Sequence, residues 1–120
     1  MNTIQEKMEK EVITLMFRDR PDLRDQINKA RIMSREFTGV GFFTYYNKED
    51  ILSKEDIIID SDVGAILNNS IEVGFLFFIR KEGGRFLECC TYGEPFPEQI
   101  ESYEAFIYEE DENHMLIRPQ

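Results

Sequence analysis

The segment Ile71–Ile79 constrains this chain most. It carries a single charge, Glu72, and ends in the unbroken run Phe75-Leu76-Phe77-Phe78-Ile79. Nine residues are too few for a buried helix of ordinary length, and their β-branched and aromatic content suits a pleated surface. Lys81-Glu82-Gly83-Gly84-Arg85 follows at once, a hairpin turn in which either glycine is free to take positive φ. Phe86–Tyr92 then returns antiparallel to the first strand. An apolar strand of this kind needs cover, and the run predicts a central strand covered on both faces.

The remaining segments supply neighbours and cover. Thr3-Ile4-Gln5-Glu6 fits a helix-capping box. Ile4, Met8, Val12, Leu15 and Met16 then recur at helical spacing, which predicts an amphipathic helix over about 4–17. Arg18-Asp19-Arg20 breaks it, and Pro21 opens a shorter helix with Leu23, Ile27 and Ala30 inside. From Ile32 the period shortens. Ile32–Phe37 reads as a strand of imperfect alternation, Gly39 and Gly41 punctuate a bend, and Gly41–Tyr46 is aromatic and β-prone. Asn47–Asp56 is a charged loop. Ile57 opens a strand that continues brokenly past Gly64 to Leu67, and Asn68-Asn69-Ser70 turns it. Pro95 and Pro97 make Gly93–Glu98 a defined loop rather than ladder. Tyr103–Glu109 and His114–Ile117 read as two last strands. No repeat or linker interrupts the pattern. The expectation is an α+β fold, a single domain over 1–120, in which an antiparallel sheet of five or six strands carries two N-terminal helices on one face.

Charge narrows the function. The 120 residues hold 14 Lys and Arg against 24 Asp and Glu, a net charge of -10. Residues 1–60 are nearly balanced, with 10 bases and 12 acids, whereas residues 61–120 have 4 and 12. From Phe86 to Ile117 there are nine acids (Glu88, Glu94, Glu98, Glu101, Glu104, Glu109, Glu110, Asp111, Glu112) and no Lys or Arg. Nucleic-acid affinity comes from cations that displace condensed counterions, so no nucleic-acid partner is expected. No apolar run approaches the ~20 residues that span a bilayer, and Met1–Lys10 has no stretch suited to a secretion signal. The adjacent Cys89 and Cys90 would need a strained ring to pair, and two lone thiols point to a reducing cytoplasm. The acidic tract has two readings: a solvated face that keeps the protein soluble, or a docking surface for a basic protein.

Individual residues add less. Gly39-Val40-Gly41 lacks the lysine, hydroxyl residue and helix of a phosphate loop. His114 stands alone in an acidic tail, and Glu110-Asp111-Glu112 lacks the alternating ligands of a calcium loop, so neither metal nor cofactor is expected. Glu88 interrupts an apolar strand. Turned inward beside a pocket between helices and sheet it would serve as an acid or base; turned outward it is ordinary sheet surface. Its parity with Phe86, Cys90 and Tyr92, against Leu87 and Cys89, leaves both open. Thr91-Tyr92-Gly93-Glu94-Pro95-Phe96-Pro97 is the most distinctive stretch. Tyr92 and Phe96 either anchor a partner or fold back over the end of the core.

Arg35–Phe43, Gly74–Ile79 and Leu87-Glu88 with Thr91–Pro97 together resemble phrases shared by a group of small uncharacterised bacterial proteins, which often have glycine at the place of Cys89 and tryptophan at that of Phe96. The resemblance covers about residues 31–108 and implies a shared fold without catalytic residues to transfer. In size and acidity the chain is also similar to bacterial immunity proteins, which block a toxin by covering its active or substrate-binding surface. That likeness implies a non-enzymatic partner binder. Its contact set would be Tyr92, Glu94, Phe96, Glu98, Glu101, Glu104, Glu109, Glu110 and Asp111, facing a basic toxin such as a nuclease. Pairing of two copies through a sheet edge is the remaining partner expectation.

Overall fold

The two helices form where the apolar spacing places them. In the computed structural model, which describes residues 3–119 apart from the side chains of Asp60 and Ser61, α1 spans Ile4–Met16 and α2 spans Pro21–Lys29. Met1 and Asn2 of the Met1–Lys10 stretch therefore lie outside the described residues. Thr3 Oγ1 accepts the Glu6 N–H at 3.1 Å, closing the first turn of α1. Met8, Val12, Ile13 and Met16 of α1 and Leu23 and Ile27 of α2 are buried against the sheet. Each such burial contributes roughly 1.5–3 kcal/mol.

The sheet has six strands: β1 Ile32–Phe37, β2 Gly41–Tyr46, β3 Ile57–Leu67, β4 Ile71–Ile79, β5 Arg85–Thr91 and β6 Tyr103–Ile107. They lie in the order β1-β2-β5-β4-β3-β6, and every neighbouring pair is antiparallel. A separate two-stranded ribbon, β7 Glu109–Glu110 with β8 Leu116–Ile117, follows β6. This is the α+β architecture expected, with the strand number at the upper end. No helix among the described residues is long and apolar enough to cross a membrane.

Two local expectations are corrected. The central strand β4 is covered on one face only: Val73, Phe75, Phe77 and Ile79 are buried towards the helices, whereas Glu72, Gly74, Leu76 and Phe78 face the other way and are half-exposed. The apolar run is explained by aromatic packing within that open face rather than by a second layer. Phe78 stacks on Phe86 at 4.8 Å, and Phe86 meets Phe43 and Tyr45 at 5.9 and 5.7 Å. Secondly, neither Gly83 nor Gly84 adopts positive φ; the turn closes through Gly83 N–H to Arg80 O, and a Cβ on Gly83 would come within 3.1 Å of Arg80 Cβ. Positive φ occurs instead at Asn68 and Asn69 of the β3–β4 turn, at Gly39 and Gly93, and at His114. The strand expected over Ile32–Phe37 forms, with a register shift between Ile32 and Ser34 that accompanies its imperfect alternation.

Candidate partner-binding surface

The Tyr92–Ser102 connection leaves β5 and must cross to β6 on the far side of the sheet. It is tied down along its length. Gly93 turns it at φ 106°, Thr91 Oγ1 donates to Glu94 O, and Phe96 N–H donates to Gly39 O at 2.9 Å. At its far end Asn68, itself at φ 52°, donates from Nδ2 to Gln99 O and accepts both the Glu101 and Ser102 N–H groups on Oδ1. A loop with this many main-chain anchors presents its side chains from a fixed frame.

The proposed contact residues separate into groups. Glu94, Glu98 and Glu101 are exposed on the loop, and Glu104 is exposed on β6. Among the described residues, no Lys or Arg pairs with any of the four. Glu109 and Glu110 belong to the ribbon, where Glu110 meets His114 Nδ1 at 3.2 Å. Asp111 is committed to the ribbon turn, because its Oδ1 accepts the Asn113 and Met115 N–H groups at 2.8 and 2.9 Å.

The two aromatics take different roles. Phe96 folds back, half-buried, against Phe42 and Phe37 with ring centroids 5.7 and 6.3 Å away. Tyr92 stays 64% exposed and lays its hydroxyl over Gly74, where a Cβ would lie 2.5 Å from it. Tyr108 covers Gly64 in the same way. Tyr108 Oη donates to Glu72 Oε2 at 2.8 Å and so receives the Tyr92 hydroxyl proton at 3.1 Å. Burial first, then the bonds to Tyr92 and Glu72, push the Tyr108 phenol well above its ordinary range.

Glu88 lies on the open face with Phe86 and Cys90, away from both helices, half-exposed between Phe43 and Leu76. It therefore does not face a pocket between helices and sheet, contrary to the inward alternative. Cys89 points into the core, where burial raises its thiol well above the usual range, and Cys90 is half-exposed. Among the described residues, no three His, Cys, Asp or Glu side chains are grouped to hold a metal ion.

The carboxylate that does face the helix–sheet interior is Glu9 of α1, only 1% exposed. It accepts Arg35 Nε at 3.0 Å and Nη2 at 2.6 Å, and Thr44 Oγ1 at 2.5 Å. The bond to Glu9 in turn raises the Arg35 guanidinium further. Sequence reading passed over Glu9 as one of several helix acids. Its spacing carried a signal, since positions 9, 13 and 16 share the apolar stripe with Ile13 and Met16.

Arg35 also floors a groove of about 520 Å³ that opens beside the acidic loop. Ile4, Phe37, Phe96, Pro97, Glu98 and Ile100 are among the residues that line it. No protein-family model, curated protein or solved structure matches the chain.

Proposed function

We propose that this chain is a protein-binding domain acting as an immunity protein: it neutralises a basic toxin, such as a nuclease, by covering the toxin's active or substrate-binding surface. The observation that carries the reading is the row Glu94, Glu98, Glu101 and Glu104, exposed, without cationic partners among the described residues, and mounted largely on a loop fixed by Asn68 and Gly39. Fixed carboxylates stand in for substrate phosphates against Lys and Arg without an ordering cost at the moment of contact. Tyr92, the exposed aromatic at the loop's start, supplies apolar contact area.

The proposal expects the reading frame preceding this chain's own to encode a secreted protein with a basic C-terminal domain, and that domain is the partner to assay. Its association rate should fall by about 10- to 1,000-fold between low and high salt. Reversing Glu94, Glu98 and Glu101 to Lys should abolish inhibition while the far-ultraviolet circular dichroism stays unchanged. A salt-independent rate, or full inhibition by the triple variant, refutes the mechanism.

A further inference from the structure

The sheet has two edges, β1 and β6. Near β6, Arg118 and Pro119 border a cleft with Ile66, Glu104 and Phe106, and Arg118 reaches Glu72 of β4, so the tail lies over the open face there. Among the described residues β1 pairs with β2 alone, and it carries neither lysine nor proline, the residues that commonly blunt an edge. Its one cation, Arg35, is bent inward onto Glu9. Five of the eleven exposed large apolar side chains among the described residues lie here: Ile32, Met33 and Phe37 on β1, Val40 in its hairpin, and Ile4 at the groove.

Register shows which main-chain groups are free. Thr38 N–H bonds Gly41 O to close the β1–β2 hairpin. Hydrogen-bonded and non-bonded pairs alternate from there, so Glu36 bonds to Phe43, whereas Phe37 opposite Phe42 and Arg35 opposite Thr44 form non-bonded pairs. The N–H and C=O groups of Arg35 and Phe37 therefore point outward along the open edge. The side chains of the same two residues line the groove.

We propose that the β1 edge over Ser34–Phe37 is a strand-addition site for an extended segment of a partner protein that alternates basic and apolar residues. The segment's main chain bonds Arg35 and Phe37, and its apolar side chain enters the groove between Ile4, Phe37, Phe96 and Ile100. Charge selects the occupant. Arg35 is already neutralised by Glu9, which leaves Glu98 in the groove lining and Glu94 nearby on the same loop as the uncompensated charges. A second copy of this chain, net charge -10, would bring the same acids against them. The inference rests on the reading of the protein as a binder of basic partners, and adds to it the partner's conformation and the place of its apolar anchor.

An acetylated ten-residue peptide of alternating Val and Lys is the probe, titrated into the full chain and followed by backbone amide spectra and hydrogen exchange. The control is the same peptide N-methylated at alternate residues, which keeps its charge but cannot complete a ladder. Expected are binding of the first peptide, slowed exchange at Arg35 and Phe37, and at least about tenfold weaker binding to Phe37→Ser and to Ile4→Ser. Equal binding of the methylated peptide, with changes confined to Glu94–Glu104, overturns strand addition and leaves acidic docking standing. Changes centred on Phe78 and Phe86 overturn it as well. A dimer of the free chain that Phe37→Ser dissociates would assign the edge to a second copy and overturn it too. If neither peptide binds, strand addition is overturned, while the salt-dependence and charge-reversal test decides the reading of the acidic loop.

Discussion

Glu9 supports both the fold and the groove, and its removal has a calculable cost. Glu9→Ala deletes a carboxylate that accepts two hydrogen bonds from Arg35 and one from Thr44, at a site 1% exposed to solvent. Breaking a buried ion pair by removing one partner costs about 3–5 kcal/mol, most of it from the charge left unpaired. The Arg35 side chain is 24% exposed, so its guanidinium regains some water through the groove, which favours the lower end of that range. Thr44 regains none: it is fully buried, and its orphaned hydroxyl adds about 1–3 kcal/mol unless it turns to another acceptor. A total of about 4 kcal/mol is a large share of the stability of a domain this size. Urea denaturation followed by circular dichroism measures it as a lowered midpoint at unchanged slope. The double replacement Glu9→Met with Arg35→Met is the decisive companion. Removing both charges leaves nothing unpaired between them, so it should recover most of the loss. A Glu9→Ala cost below about 1 kcal/mol, or a double variant as unstable as the single, would refute the account.

Three further perturbations test other parts of the fold. Tyr46 and Tyr108 both have phenols raised above the ordinary value of 10.0, each chiefly by burial. A group whose folded pKa exceeds its unfolded one stabilises fully below the unfolded value and loses that contribution as pH rises past it; ultraviolet titration should therefore show these two tyrosines ionising only with unfolding above about pH 10. Gly41→Ala should prevent folding, because its Cβ would lie 1.8 Å from the Cys89 carbonyl oxygen on the neighbouring strand. Gly39→Ala, at φ 89° in open space, should cost only about 1–2 kcal/mol by thermal melting.

What was legible in the sequence divides by the range of the cause. Both helices were, because Met8, Val12 and Met16 announce their shared face through spacing alone. The hairpins were, because Gly39, Asn68-Asn69 and Gly83-Gly84 mark turns locally, although only the structure shows that the last pair keeps out of positive φ. The open face was not. An outward Phe78 or Leu76 looks in sequence like a residue awaiting a second layer, and its actual contacts, Phe86 and its neighbours, come from a strand whose register is a long-range property. Gly64 and Gly74 were opaque for a related reason: the rings that need their missing Cβ atoms belong to Tyr108 and Tyr92, distant in sequence. Of the candidate contact residues, those on the Gly93–Glu98 loop were legible as a unit because Pro95 and Pro97 exclude ladder pairing. The groove beside it required Ile4, Arg35 and Ile100 to meet, which no local pattern encodes.

The asymmetry of charge along the chain survives folding for a structural reason. A chain with balanced and acidic halves could have wrapped one against the other, neutralising the excess. Here the five arginines of the first half are paired with acids: Arg20 with Asp22, Arg24 with Asp25, Arg31 with Asp50, Arg35 with Glu9, and Arg18 with Asp62 of β3. The arginines of the second half are engaged as well. Arg85 is buried with its guanidinium bonded to the carbonyls of Ile51, Arg80 and Gly83, Arg80 lies over the Phe78 ring, and Arg118 reaches Glu72. Among the described residues nothing basic then pairs with Glu94, Glu98, Glu101 and Glu104. Their mutual repulsion is a standing cost to the folded chain. A cation brought by another molecule would relieve that cost at the acidic loop, which is the physical basis of the proposal that its partner is basic.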